Sequence, residues 1–303
     1  MQALWMVLAA FLFASMGVCV KIASSDFNAA ELVCYRGIIG MVILWGLARS
    51  QKTTLATQYP GMHAWRSLIG VASLGAWFYA IGHLPLATAM TLNYMSSVWI
   101  AAFLVGGTLL AWRPSAATPR PALQGPLVLT VLTGFVGVVL MLRPSLDQNE
   151  SFAGLVGLLS GMAAAFAYMQ VVALSRLGEP ESRTVFYFAL GSTVAGGAAL
   201  FFTGVSDWPG WSALWLLPIG VLAAGGQLCM TRAYASAKTQ RETLVVANLQ
   251  YSGIVFAALY SVLLFGDDIP TIGWIGMALI VGSGMAATIL RARAAPGAPA
   301  EEH

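Results

Sequence analysis

Long apolar stretches alternate along this chain with short breaks that are rich in charged residues, proline and glycine. A helix that crosses a bilayer needs about 20 mainly apolar residues, and the breaks divide the chain into ten pieces of about that length. The pattern therefore predicts an all-α membrane protein with ten transmembrane helices. The predicted helices are 2–22, 29–48, 64–82, 85–111, 124–142, 152–175, 183–203, 212–235, 242–265 and 270–290.

The two ends of the chain are predicted to differ in structure. The first segment has no basic region before it and no clear small-residue cleavage site, and it carries Lys21 at its far end. It is therefore predicted to be a retained helix rather than a signal peptide. Residues 294–303 are predicted to form a short disordered cytoplasmic tail.

The two halves of the chain resemble each other at a fixed shift of 155 positions. A shift of about half the length, in a chain that is apolar almost throughout, indicates a duplicated membrane unit. Residues 1–148 and 149–293 are therefore predicted to be two five-helix repeats of one integral membrane unit. The matches pair Ala9, Ala10, Phe11, Gly70, Tyr79, Ala80, Thr88, Asn93 and Ser97 with Ala164, Ala165, Phe166, Gly225, Tyr234, Ala235, Thr243, Asn248 and Ser252.

The positions of the basic residues predict the orientation, because cytoplasmic loops and helix ends are enriched in Lys and Arg. With the N-terminus inside, twelve of them are cytoplasmic, Lys21 and Arg143 lie outside, and Arg36 lies within a helix. Both termini are thus predicted to be cytoplasmic, and an odd number of helices per repeat inverts the second repeat. The cytoplasmic set is Arg49, Lys52, Arg66, Arg113, Arg120, Arg176, Arg183, Arg232, Lys238, Arg241, Arg291 and Arg293.

Composition supports the membrane class and excludes several functions. The chain is 58% hydrophobic and 9% charged, against roughly 25% charged in soluble domains. Basic residues at helix ends explain the net charge of +3, so nucleic-acid binding has no support. The three cysteines lie in apolar runs without metal-ligand spacing, and no HExxH, GxSxG or phosphate-loop motif occurs. Neither an enzyme, an ATP-driven pump, a cofactor nor a metal is predicted.

Several motifs resemble those of the drug/metabolite transporter superfamily, specifically its EamA-type ten-helix members. They are FASMGVCVK at 13–21, ELVCYRG at 31–37, WFYAIGHLPLATA at 77–89, MTRAY at 230–234 and ANLQYSGIVF at 247–256. The resemblance implies a transporter of amino acids, cationic drugs, nucleotide sugars or S-adenosylmethionine-like metabolites. By overall likeness, the chain is similar to the YddG-like amino-acid exporters.

Polar side chains in the apolar helices are the candidates for substrate binding, because in a bilayer they must be paired or face a wet cavity. Asn93 with Ser97, and Asn248 with Ser252, have the spacing that puts both on one face of a helix. Gln227 is a further polar candidate, and Tyr94, Trp99 and Tyr251 are candidate aromatic walls, along with Trp77 and Tyr168. The candidate gate residues are Tyr79, His83 and Tyr234.

Each candidate also has a structural interpretation. Asn93 and Asn248 fit helix-to-helix hydrogen bonds as well as a cavity, and Tyr79, His83 and Tyr234 lie near helix ends, where interfacial aromatic belts occur. Arg36 is expected to pair with Glu31 or Asp26 or to extend outward, with a substrate carboxylate as the alternative partner. No Asp or Glu falls in the middle of a helix, which favours a neutral or zwitterionic substrate.

The sequence therefore predicts a secondary transporter of the bacterial inner membrane that exports small amphiphilic metabolites, most of all amino acids, including aromatic ones. An S-adenosylmethionine-like or other nucleoside-bearing substrate is the alternative, and a membrane receptor or scaffold is the alternative class. The expected partners are a small-molecule substrate and the lipid bilayer, with a monomer or weak dimer as the assembly.

Overall fold

The computed structural model describes residues 2–111, 125–142, 148–236 and 240–294, and these residues form helices and connections without a β-strand. The helices are α1 Gln2–Ala23, α2 Ala29–Ser50, α3 Pro60–His83, α4 Leu86–Asn93, α5 Ser96–Ala111, α6 Gly125–Leu142, α7 Gln148–Arg176, α8 Glu181–Thr203, α9 Leu216–Ala235, α10 Gln240–Leu249, α11 Ser252–Phe265 and α12 Thr271–Ala294, with a 3-10 helix at Gly210–Trp215. The predicted tail lies almost wholly outside the described residues.

Eight of the described stretches are long and apolar enough to cross a membrane. The α3 helix is not among them, since it carries polar residues such as His63, Arg66, Ser67 and Ser73 inside the bundle, although its 24 residues span about 36 Å. The shorter apolar helix Gly125–Met141 is the other exception. The all-α membrane class is confirmed, whereas the number of ten spans and the inversion of the repeats stay predictions.

The outside of the bundle exposes large apolar side chains on most helices. A soluble protein rarely exposes apolar surface so extensively, whereas lipid favours it. The outer surface therefore faces the hydrocarbon of the bilayer. Examples are Leu4 on α1, Val42 on α2, Leu68 on α3, Leu129 on α6, Val194 on α8 and Val255 on α11.

A capping box begins α2. The Asn28 side chain accepts a hydrogen bond from the Glu31 backbone at 3.0 Å, and the Glu31 carboxylate accepts one from the Asn28 backbone at 2.7 Å. The same carboxylate accepts two more bonds from the backbone and hydroxyl of Ser206. Glu31 is thus fully buried and joins the start of α2 to the segment that follows α8.

The predicted continuous helices 85–111 and 242–265 are each broken, so that prediction is wrong in detail. The first breaks at Tyr94 and Met95, between α4 and α5, and the second at Gln250 and Tyr251, between α10 and α11. Neither break contains proline or glycine, the residues that usually reveal one in a sequence. At the first break, the backbone of α4 approaches Gly161 of α7 so closely that a Cβ there would lie 2.5 Å from the Leu92 carbonyl oxygen.

Glycines also allow close contact between α6 and α12. A Cβ at Gly137 would lie 2.8 Å from the Gly276 carbonyl oxygen, and a Cβ at Gly276 would lie 2.6 Å from the Gly137 carbonyl oxygen. The other extensive helix pairs are α2 with α8, α3 with α7, and α1 with α9. Small residues at such contacts bring the backbones together where lipid supplies no hydrophobic driving force.

The bundle has two ends, which are named here for the position of α1. The N-terminal face, where α1 begins, includes residues 54–63 and 179–183, which are joined by hydrogen bonds from Arg183 to Thr54. The opposite face includes residues 21–28, 84–85 and 204–208, where Lys21 donates to the Leu84 carbonyl at 2.6 Å.

We expect Gly161→Ala to lower stability by about 1–3 kcal/mol, because the added methyl group overlaps backbone atoms that cannot move independently. The measurement is the midpoint of thermal unfolding in detergent. Gly75→Ala on α3 is the matched control, since a Cβ there meets no atom within 4 Å. Equal midpoints for the two variants would contradict the close contact at the break.

Candidate functional site

A cavity lies inside the bundle, next to the break that follows α4. Its volume is about 80 Å³, and α1, α2, α3, α4, α7, α8 and α9 contribute to its walls. Its aromatic walls are Phe13, Trp77, Tyr94, Tyr168 and Phe188, and its polar side chains are Arg36, Arg66, Ser73, Asn93 and Gln227. An apolar site with a few convergent polar groups is the usual form of a small-molecule binding site.

Two arginines are the most unusual residues of this cavity. Arg36 and Arg66 are each only 5% exposed, and their guanidinium carbons lie 5.2 Å and 4.2 Å from the centre of the Phe188 ring. The Nε atoms of both, and Nη1 of Arg66, are buried without a hydrogen-bond partner. Contact with an aromatic face stabilises a cation only partly, so these groups retain unmet capacity to bind an anion.

The expectation that Arg36 pairs with Glu31 or Asp26, or extends outward, is wrong. Glu31 is occupied by Asn28 and Ser206, and Arg36 instead reaches the cavity. The alternative, contact with a substrate carboxylate, remains open to this side chain.

The assignment of Arg66 to the cytoplasmic end of a helix is also wrong. Because α3 begins at Pro60 rather than near residue 64, Arg66 lies about 9 Å inside the bundle. Proline is favoured in the first turn of a helix, so the earlier start was detectable from the sequence.

Asn93 both lines the cavity and joins two helices. Its amide Nδ2 donates to the Ser160 hydroxyl on α7 at 3.1 Å, and that hydroxyl donates to the Gly157 carbonyl at 2.6 Å. Ser73 on α3 donates to the Ser160 carbonyl at 2.8 Å. The two interpretations of Asn93 from the sequence are therefore compatible, since one side chain occupies both positions.

Three predicted binding residues meet at the cavity: Asn93, Tyr94 and Gln227. Tyr251 is buried beside Tyr94, with the two ring centres 6.2 Å apart, so it supports the wall from behind.

Other predicted binding residues lie elsewhere. Trp99 packs against Phe103 and Phe135, Ser252 donates to the Leu249 carbonyl, and Asn248 does not line the cavity. The side chain of Ser97 lies outside the part of the chain that the structure describes. The cavity therefore contains Asn93 but not its counterpart in the second half.

Two candidate gate residues, Tyr79 and His83, lie at the opposite face, outside the cavity walls, whereas Tyr234 lies near the end of α9 at the N-terminal face. The rings of Tyr79 and His83 stack with their centres 4.1 Å apart, and Tyr79 packs edge-on against Phe152 of α7. His83 is exposed, with Nδ1 2.8 Å from the Tyr79 carbonyl. The side chain of Tyr234 is not among those described. A gating role for Tyr79, His83 and Tyr234 therefore stays a prediction.

The half of the bundle near the opposite face is densely packed. Ile81, Leu86 and Met90 are fully buried there, and a Cβ at Gly17 would lie 3.1 Å from Leu86. Lys21 closes this end by its bond to the Leu84 carbonyl and its position over the Phe265 ring. The cavity is thereby separated from the opposite face.

A polar cluster at the N-terminal face is centred on Glu179, which follows α7. Its carboxylate accepts bonds from Thr57 at 2.9 Å and Arg183 at 3.1 Å, and lies 3.3 Å from Nε2 of His63. The His63 ring stacks on Tyr187 with the ring centres 4.6 Å apart. The cluster joins the start of α3 to the start of α8, between the cavity and the N-terminal face.

Comparisons with known proteins show which family has this architecture. The model of the EamA-like transporter family matches residues 1–106. The pseudopaline exporter CntI of Pseudomonas aeruginosa is 33% identical over 266 residues, which cover 87% of this chain and 87% of that protein. The chain belongs to the EamA-like transporter family.

A second named relative is also a transporter, and a solved structure shares the fold. A riboflavin transporter of Brucella anthropi is 24% identical over 295 residues, covering 92% of this chain and 95% of that protein. A crystal structure of a protein that is 18% identical matches with a TM-score of 0.63 over 97% of this chain and 98% of that chain, which shows the fold alone. The chain is therefore a multi-pass membrane transporter of small molecules and not an enzyme.

We expect Asn93→Ala and Ser160→Ala to be coupled by about 0.5–1.5 kcal/mol, because the two side chains share one hydrogen bond. A double-mutant cycle of unfolding free energies, measured by denaturant titration in mixed micelles, tests this coupling. The control cycle combines Ser160→Ala with Asn248→Ala, whose effects should add. Additive effects in the first cycle would show that Asn93 does not tie α4 to α7.

We expect Glu179 to make stability depend on acidic pH. Burial opposes its charge, but hydrogen bonds from Thr57, Arg183 and His63 outweigh burial and hold the pKa of Glu179 below the usual 4.5. Because the folded-state pKa is the lower one, this contribution is complete above the usual value and is lost as the pH falls through the folded-state pKa.

The measurement compares the thermal unfolding midpoints of the protein and of Glu179→Gln from about pH 7 down to about pH 3.5. The variant should be less stable at neutral pH and lose less stability on acidification. Asp268→Asn, which changes an exposed acid on the opposite face, is the control. Parallel curves for the protein and Glu179→Gln would refute the role of this carboxylate.

Proposed function

We propose that this protein is a secondary transporter that exports amino acids or metabolites derived from them by alternating access. The observation that carries the proposal is the cavity beside a broken helix, where Arg36 and Arg66 are buried without carboxylate partners among the described residues. Ionisable groups inside a membrane bundle are expensive to maintain and mark substrate pathways.

The cavity chemistry suits an amino-acid-like molecule. A guanidinium binds a carboxylate through two parallel hydrogen bonds, which supplies both energy and orientation. Trp77, Tyr168 and Phe188 offer apolar surface for a side chain or ring, and Gln227 offers a further polar contact.

The same charges weigh against the S-adenosylmethionine-like alternative. A sulfonium compound with an amino group would enter a cavity that already holds two cations and whose walls contain no acid. A nucleoside-bearing metabolite remains compatible with the aromatic walls only if it is not cationic.

The packing of the helices supports alternating access between inverted repeats. Under the 155-residue shift, the pair α1 with α9 corresponds to the pair α7 with α3, and α2 packs on its own counterpart α8. The α6 helix packs on α12, which it matches at a shift of 148 residues that pairs Gly125 with Gly273. The helices broken at Tyr94 and at Gln250 also correspond, to within a residue. Substrate sites of inverted-repeat transporters are typically built at such discontinuous helices.

The proposed orientation has both termini in the cytoplasm of a bacterium and the bundle in its inner membrane, as a monomer or weak dimer. The opposite face is then periplasmic, and its dense packing at Ile81, Leu86 and Met90 is what a carrier needs while it binds substrate from the cytoplasm. The relative that is named as a pseudopaline exporter supports outward transport. Because the relatives carry different substrates, the cavity walls rather than the fold set the specificity.

We expect proteoliposomes that contain the protein to move at least one amino acid or amino-acid derivative down its gradient. The panel includes aromatic and acidic amino acids, with nucleoside metabolites as competitors. Arg66→Gln should reduce this transport roughly 30-fold or more, because a buried charged hydrogen bond is lost.

Arg49→Gln is the matched control, since Arg49 is exposed at the end of α2 and lies over Trp45. Equal loss in both variants would point to damage of the fold instead of the site. If no amino acid or derivative moves, the proposed function fails.

A further inference from the structure

We infer that the cavity binds an organic dianion with an apolar body, in preference to a zwitterionic or singly charged amino acid. The inference rests on the proposed function, since it takes the cavity as the substrate site, and it names the charge class of the substrate. This inference differs from the sequence-based expectation. That expectation is a neutral or zwitterionic substrate, because no Asp or Glu falls in the middle of a helix.

The charge of the cavity is the first reason. Arg36 and Arg66 contact the same ring, and they lie close enough to repel each other. Glu179 forms the ion pairs of the described residues, and its carboxylate is engaged with His63 and Arg183. A single carboxylate would leave one buried guanidinium without a counter-charge, which is strongly unfavourable in a low-dielectric site.

The spacing of the two cations is the second reason. Their guanidinium carbons lie 5.2 Å and 4.2 Å from the Phe188 centre, so they are at most about 9.4 Å apart. Two acidic groups of one small molecule can therefore engage both arginines at once. Nε and Nη1 of Arg66 are buried without a hydrogen-bond partner and belong to different edges of the guanidinium, so each edge retains a donor for an acidic group.

The rest of the cavity offers no counter-charge for a cation. Its walls contain no Asp or Glu. An ammonium group would lie close to two guanidinium groups without a carboxylate to offset them. The aromatic side chains Phe13, Trp77 and Tyr168 instead suit an apolar body.

A series of three phenylalanine derivatives tests the inference by changing the charge on one apolar body. Phenylalanine amide is a cation, N-acetylphenylalanine carries one carboxylate, and N-succinylphenylalanine carries two. Binding to the purified protein in detergent is measured by calorimetry and by the fluorescence of Trp77, which lines the cavity. The expected order of affinity is N-succinylphenylalanine, then N-acetylphenylalanine, then the amide, with at least about 30-fold between the first two.

The variants Arg36→Gln and Arg66→Gln identify the groups responsible. In either variant the two acidic compounds should bind about equally, because only one cation remains. Arg49→Gln should keep the full preference, and Arg66→Lys should keep part of it, since lysine retains the charge but not the paired donors. Unchanged melting temperatures show that the variants remain folded.

Equal affinity of the protein for the singly and doubly charged compounds would overturn the inference, as would a preference that survives in both glutamine variants. Phenyl phosphate carries both negative charges on one group. If it binds tightly and this binding depends on the arginines, the inference of a dianionic substrate stands, with a phosphate group in place of two carboxylates. Transport of zwitterionic amino acids without this preference would refute the inference and leave the proposed function intact. The absence of transport of any amino acid or derivative would refute the proposed function itself.

Discussion

The hydrocarbon interior of a bilayer offers no hydrogen-bond partner, and this constraint shapes the whole protein. Every backbone N–H and C=O group in the interior must be bonded within the chain, which is why the described membrane-crossing segments are helices. Irregular backbone is tolerated only where protein surrounds it. The break after α4 follows this rule, since its backbone lies against Gly161 of α7 and Asn93 is tied to Ser160 beside it.

The same constraint makes the two buried arginines informative. Other charged groups have partners that offset their burial: Glu31 bonds Asn28 and Ser206, and Glu179 bonds Thr57 and Arg183. Arg36 and Arg66 instead lie over the face of Phe188, and neither forms an ion pair with a carboxylate among the described residues. Their positions are therefore best explained by a ligand that completes the charge balance and then leaves, as transport requires.

Movement and tight packing coexist because the helix contacts are made by small residues. Where Gly137 meets Gly276, the backbones touch without interlocking side chains, so little has to repack when helices slide. The dense packing around Leu86 and Met90 lies toward the opposite face, whereas the cavity near Arg66 lies next to the break that follows α4. In the proposed mechanism, the two repeats exchange these conformations, which explains why Asn93 lines the cavity while Asn248 does not.

The sequence by itself determined the membrane class, most helix boundaries and the transporter family, because these follow from apolar length and local motifs that neighbouring residues contain. It also identified Asn93, Tyr94 and Gln227, since polar residues on an apolar helix stand out. Only the tertiary structure decided the helix breaks and the positions of Arg36 and Arg66 at the cavity. Their environment is formed by α7 and α8, more than 50 residues away along the chain, so no local pattern records whether a charge meets lipid, a carboxylate or an open cavity.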